Sequence, residues 1–124
     1  MEEKYKITDA ELEIMQEIWK NKELSLEQIV ENLSKKSKEN KNKNTIKTLL
    51  YRLSEKECIK SKKIDGKSVV YIPKITEKEY QKRSSKNFLQ KIYHGSVKEL
   101  LLNFIEEKEM TKKDIEELMK EIKK

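Results

Sequence analysis

The chain is poor in the residues that staple, kink or catalyse: 124 residues contain one cysteine, one proline, two glycines and one histidine. A lone cysteine, Cys58, excludes an intramolecular disulfide and a cysteine-built zinc site. With His94 as its single histidine the chain offers no Ser/His/Asp set, and neither a paired-carboxylate pocket nor a glycine-rich phosphate loop can be assembled. An enzyme is therefore not expected, and no cofactor or metal is called for. No apolar run is long enough to span a bilayer. Met1 to Lys6 leads straight into polar, periodic sequence, so no signal peptide is expected and the cytoplasm is the expected compartment. Hydrophobic residues reach only 35% against 42% charged. A core built from so little is thin, and small domains bury a low fraction of their surface. Part of the apolar surface is thus expected to be covered by a second copy of the chain.

What is present is positive charge in one place. Residues 1–34 carry 4 basic and 9 acidic side chains, a balance of −5, whereas residues 35–67 carry 12 and 4, a balance of +8. Residues 68–124 carry 13 and 10, or +3. Concentrating cations in the middle third is what a local polyanion-binding face requires.

Periodicity and capping pairs mark the elements. Thr8 with Glu11 opens a helix carrying Leu12, Met15, Ile18 and Trp19, which ends at Asn21-Lys22. Ser25 with Gln28 opens a second, with Leu26, Ile29, Val30 and Leu33 on one face. Ser34 to Lys43 has no apolar residue and reads as a solvated loop. A third helix is predicted to start with Asn44 or Thr45 as N-cap. Its Ile46, Leu49, Leu50 and Leu53 fall at i, i+3, i+4, i+7 and face inward, which leaves Thr45, Lys47, Thr48, Tyr51 and Arg52 outside. The period then changes. Ile59 to Ile64 and Ser68 to Ile72 alternate around Asp65-Gly66, a strong hairpin signal, and Pro73 stops the second strand. Helices follow over Thr76 to Tyr93, from Ser96 with Glu99, and from Thr111 with Asp114. Gly95 separates the first two, and His94 beside it reads as a helix-end cap residue. No internal repeat and no heptad run occurs. The division is placed after residue 74, giving a domain at 1–74 and a helical domain at 75–124.

Three helices followed by a basic hairpin is the order of a winged helix-turn-helix. The expected architecture is mainly α: that N-terminal domain plus a C-terminal α-helical dimerisation domain. A helix presenting Thr, Lys and Arg fits the major groove, where it offers donors to guanine and phosphate and methyl groups to thymine. Lysines on a hairpin beside it reach phosphates that fix register without reading sequence. The candidate DNA-binding residues are Lys43, Thr45, Lys47, Thr48, Tyr51, Arg52, Lys60, Lys62, Lys63 and Lys67. Arg52 is the candidate for a bidentate contact or phosphate clamp. Lys47 could equally be only solvated, and the Tyr51 ring could pack on the body of the domain. Cys58 reads as a semi-buried small residue. The candidate dimerisation residues are Phe88, Leu89, Ile92, Tyr93, Leu101, Leu102, Ile105, Ile115, Leu118, Met119 and Ile122. A reading of another class is a basic helical adaptor for an acidic protein or RNA.

Several stretches are distinctive in combination: Thr8-Asp9-Ala10-Glu11 with Ile18-Trp19-Lys20, then Thr45-Ile46-Lys47-Thr48-Leu49-Leu50-Tyr51-Arg52-Leu53, then Val70-Tyr71-Ile72-Pro73. Phe88-Leu89 through Tyr93-His94-Gly95-Ser96, and Leu102-Asn103-Phe104-Ile105, complete the set. Together they resemble the penicillinase/methicillin-resistance repressor family of the BlaI/MecI type, over nearly the whole chain from about Ile7. The resemblance implies a homodimer that binds double-stranded operator DNA with an inverted repeat and represses transcription, in the setting of β-lactam or cell-wall-antibiotic resistance. It also implies that a membrane sensor-protease could act on the bond between Asn103 and Phe104. Two departures stand out. The turn before the recognition helix is longer and has no Trp or Pro, and the turn after it reads Lys56-Glu57 where the family usually has Lys-Gly. The cysteine-rich C-terminal motif of the copper-responsive branch is absent, which argues against copper sensing.

Overall fold

The computed structural model describes residues 6–36 and 42–122. Helix α1 (Asp9–Asn21) starts at Thr8, whose hydroxyl accepts from the Glu11 N–H while the Glu11 carboxylate accepts from the Thr8 N–H, the reciprocal box the spacing predicts. Strand β1 (Leu24–Ser25) leads into α2 (Leu26–Lys36), capped by the same exchange between Ser25 and Gln28. Helix α2 runs through Lys36, so the expected loop starts later than Ser34, and its residues 37–41 lie outside those described. The ion pair Lys35–Glu31 supports that last turn at i, i+4 spacing.

Helix α3 (Lys43–Glu55) begins earlier than expected. Asn42, not Asn44 or Thr45, is the N-cap, and its side-chain oxygen accepts from the Thr45 N–H at 2.8 Å. Several good cap residues stand in a row there, and local preference cannot choose among them. The hairpin follows, with β2 (Ile59–Ile64) antiparallel to β3 (Ser68–Pro73), in the register Ile59↔Pro73 through Ile64↔Ser68. Its tip uses positive φ at both Asp65 (54°) and Gly66 (73°), as the Asp-Gly pair requires. Pro73 is the last residue of β3 rather than its stop, because Lys74 takes over with an N–H bond to the Cys58 carbonyl. A third strand, which nothing in the alternation indicated, completes the sheet: β1 pairs with β3 in the order β1-β3-β2.

These elements and the start of α4 (Glu77–Tyr93) form a compact unit that runs to Gln81. Ile14, Met15, Ile18, Ile29, Ile46, Leu49, Leu50, Leu53 and Ile59 make its core. Each such side chain, fully buried, contributes roughly 1.5–3 kcal/mol. Cys58 is fully rather than half buried, in line with its ordinary role as a small apolar residue. Beyond Pro73 the chain still belongs to this unit. Ile75 is in the core, the Trp19 indole N–H donates to the Ile75 carbonyl at 2.9 Å, and Trp19 meets the Tyr80 ring at 5.6 Å.

The second unit comprises the rest of α4, α5 (Val97–Glu106) and α6 (Lys112–Ile122). His94 and Gly95 end α4 with positive φ (52° and 87°), and the Gly95 N–H bonds back to the Leu89 carbonyl. Ser96 and Thr111 cap α5 and α6 through Glu99 and Asp114. With two glycines in the chain, left-handed residues after helices are mostly non-glycine: Lys22, Glu57, His94 and Lys108. Glu57 occupies this conformation (φ 60°) where the family resemblance leads one to expect glycine.

The first unit also buries charge. Glu11 is fully buried and Glu17 nearly so, both on α1. Lys56, just past α3, reaches the Glu11 Oε1 at 2.6 Å, and Lys36, at the end of α2, pairs with Glu17. Burial pushes the Glu11 carboxyl up, but hydrogen bonds from Lys56 and Thr8 outweigh it and hold the group below the usual glutamate value. Such a group stabilises the fold above its unfolded pKa, and the contribution fades as pH falls through the depressed folded value. Lys56→Met is expected to lower unfolding stability at neutral pH by roughly 2 kcal/mol, since it strands a buried carboxylate. The deficit relative to the parent should shrink at acidic pH, because the stranded carboxyl of the variant takes up its proton at a higher pH than the paired one does. Denaturant unfolding at both pH values checks it, and a pH-independent deficit would show that the charge of Glu11 is not involved.

Candidate nucleic-acid interface

Helix α3 presents two faces. Ile46, Leu49, Leu50 and Leu53 are buried, while Lys43, Asn44, Thr45, Lys47, Thr48, Tyr51 and Arg52 are all exposed. Four apolar residues at this spacing form one stripe, so the helix can dock in only one rotation, with its polar face outward. The Tyr51 ring does not pack on the body of the domain. It is 66% exposed, because its position lies opposite the stripe, and it stands among Lys47, Thr48 and Arg52. Thr48 donates its hydroxyl to the Asn44 carbonyl at 3.1 Å, which satisfies its proton within the helix and leaves acceptor lone pairs free.

Lys60, Lys62, Lys63 and Lys67 of the hairpin are exposed as well. The pleat divides them. Lys60 and Lys62, opposite Ile72 and Val70, share one face of the strand pair, whereas Lys63, opposite Val69, lies on the other. Lys67 sits in the turn, where its N–H bonds the Ile64 carbonyl. Arg52, Lys60, Lys62, Lys63 and Lys67 make no ion pair among the described residues.

The positive middle third is not all available. Lys36, Lys43 and Lys56 are paired with Glu17, Glu27 and Glu11 from the acidic first third. The opposed charge balances of these segments are therefore in part complementary within the fold, and composition cannot distinguish that from a free basic face. Lys43 lies 3.3 Å from Glu27, which drops below the usual glutamate range through a bond from its own backbone N–H, the bond with Lys43 and the nearby charge of Lys47. Glu11, Glu17, Glu27 and Lys56 were not candidates, because each owes its place to a partner distant in the chain.

In the second unit no described residue is buried. Phe88, Ile92, Leu102, Phe104, Ile105, Leu118, Met119 and Ile122 are exposed, and Leu89, Tyr93, Leu101 and Ile115 are half-buried. Asn103 and Phe104 lie within α5. The Asn103 side-chain amide donates to the Tyr93 hydroxyl at 2.9 Å, and the Asn103 and Phe104 carbonyls accept from Glu107 and Glu109.

Three helices, a hairpin after the third and a polar, cationic outer face on that third helix define a winged helix-turn-helix domain. The family profile described as penicillinase repressor matches residues 7–124. The chain belongs to the penicillinase repressor family. It is 37% identical over 112 residues to the penicillinase repressor of Bacillus licheniformis, covering 90% of this chain and 85% of that one. It is also 37% identical over 114 residues to the methicillin resistance regulatory protein MecI of Staphylococcus aureus strain N315, covering 92% and 90%. The penicillinase repressor of Staphylococcus aureus is 40% identical over 112 residues, covering 90% and 86%. Among solved structures, the solution structure of the DNA-binding domain of the repressor BlaI matches with a TM-score of 0.52 at 39% identity, covering 60% of this chain and 87% of that one. Among the described residues, no helix is long and apolar enough to cross a membrane.

Proposed function

We propose that the chain is a cytoplasmic, dimeric, sequence-specific repressor of transcription, acting on a β-lactam or cell-wall-antibiotic resistance operon by binding rather than by catalysis. The carrying observation is the α3 face: Thr45, Lys47, Thr48, Tyr51 and Arg52 all point outward from a fold shared with a DNA-binding domain. Helix α3 enters the major groove, where Arg52 contacts a guanine edge or clamps a phosphate, and the hairpin lysines hold flanking phosphates. The first unit reads DNA, and the second, from about residue 82 rather than 75, joins two copies on an inverted repeat.

Gel shifts with a duplex from the chain's own upstream region test this reading. Arg52→Ala is expected to weaken specific binding by about 1–3 kcal/mol, and Lys62→Ala to lower affinity on all sequences while flattening the salt dependence by about one ion. Indifference to duplex DNA would favour an adaptor for an acidic protein or RNA.

Dimerisation is supported by the second unit, where every described apolar residue is exposed or only partly covered in one copy. Three short helices with no buried residue lack a core of their own, and a twofold partner supplies the missing cover. Leu118→Asp is expected to give a monomer in sedimentation equilibrium and to weaken operator binding roughly 100-fold, since each half-site is then held alone. A dimer that survives this change would move the interface elsewhere.

Inactivation by cleavage between Asn103 and Phe104 is the regulatory half of the proposal. The bond is exposed but helical, so a protease that needs an extended chain must first unwind the end of α5. Immunoblots of cells exposed to a cell-wall antibiotic should show a shortened band. An intact band alongside derepression would remove cleavage as the trigger.

A further inference from the structure

The lysine nearest the start of the recognition helix is already occupied. The Lys43 ammonium lies 3.3 Å from the Glu27 Oε2, and both side chains are more than half exposed. Glu27 stands in the first turn of α2, Lys43 in the first turn of α3, and Lys47 follows one turn on. The pair therefore bridges the two helices of the helix-turn-helix. The field of Lys47 reaches the same carboxylate and, with Lys43, helps to keep it ionised.

We propose that Glu27 is an electrostatic brake on the DNA affinity of this domain: it withholds Lys43 from phosphate, so that the cation contacts DNA only by giving up its carboxylate partner. The inference rests on the DNA-binding reading above. An exposed pair of this kind is weak and exchangeable in water. A phosphate brought to the same ammonium competes with a carboxylate already in place and is itself repelled by that carboxylate. Binding that depends only on phosphates carries this penalty at every position along DNA. The chain keeps Arg52 and the hairpin lysines, which have no such partner among the described residues, for its phosphate and base contacts. Lys43, a candidate contact on sequence grounds, is thus paired with an acid from a different helix. The count of cations in residues 35–67 overstates how many phosphates the domain neutralises.

The experiment is a double-mutant cycle on the full chain, with affinity measured against salt on a random-sequence duplex and on the duplex from its own upstream region. Glu27→Gln should tighten random-duplex binding by about threefold at low salt and steepen the slope of log affinity on log salt by about 0.9, the increment of one more neutralised phosphate. In the Lys43→Met background the same substitution should lose most of that gain, because the cation it would release is absent. Glu116→Gln, an exposed acid of α6 removed with the same change in net charge, should not reproduce the slope change. Additive effects of Glu27→Gln and Lys43→Met, or an equal gain from Glu116→Gln, overturn the brake while leaving the DNA-binding reading in place. A parent chain that does not prefer its upstream duplex over the random one overturns both.

Discussion

The contact on which the placing of α3 depends is the buried carboxylate of Glu11. It closes the N-terminal cap of α1 through the Thr8 N–H and, on the same oxygen, receives the Lys56 ammonium from the turn that follows α3. One anion thus fastens the first helix of the domain to the end of α3. Its other oxygen, Oε2, is buried with no hydrogen-bond partner among the described residues, so these two contacts both fall on Oε1. Removing either partner leaves an uncompensated group inside, which is costlier than never having had the pair. Glu17 and Lys36 repeat the device at the end of α2. Helices α2 and α3, on either side of residues 37–41, are therefore both tied to α1 by lysine–glutamate pairs, and the apolar stripe of α3 sets the rotation between those ties.

This arrangement changes the meaning of the charge pattern. A segment of balance −5 followed by one of +8 reads as an anion-binding face with an unrelated acidic neighbour. In the fold, Glu11, Glu17 and Glu27 each hold one lysine of the basic segment, two of them out of solvent. Among the described residues, what remains unpaired is a narrower set, Arg52 on the helix and Lys60, Lys62, Lys63 and Lys67 on the hairpin, with Lys47 within the field of Glu27. The domain is then a balanced scaffold carrying a few uncommitted cations, a better basis for selective binding than a uniformly positive surface, whose attraction to DNA is the same at every sequence.

The two halves of the chain solve the shortage of apolar residues differently. The first gathers its isoleucines and leucines into one core and completes it with Ile75 and the Trp19–Tyr80 contact. The second keeps its leucines, isoleucines and phenylalanines open. Regular, well-capped helices without a buried interior are stable only when tertiary or quaternary packing covers their apolar faces, which is the physical ground of the dimer proposed for this half.

Much of this was legible in the chain itself. The capping pairs at Thr8, Ser25, Ser96 and Thr111, the stripe of α3 and the Asp65-Gly66 turn are local codes, in which residues a few positions apart satisfy one another or share a face, and the elements follow from them directly. The outward set on α3 came with the stripe, since fixing the inner face fixes the outer one. What local codes could not contain was any choice made between distant segments. Asn42, rather than Asn44 or Thr45, starts α3. Leu24 and Ser25 join the hairpin as a third strand, Tyr51 stands clear of the domain, and Glu11, Glu17 and Glu27 each choose a particular lysine. Each of these depends on which surfaces meet once the chain has closed on itself. Hydrophobic periodicity and capping act over one or two helical turns, whereas strand pairing and ion pairing act through space, between residues whose separation in sequence is set only by the fold.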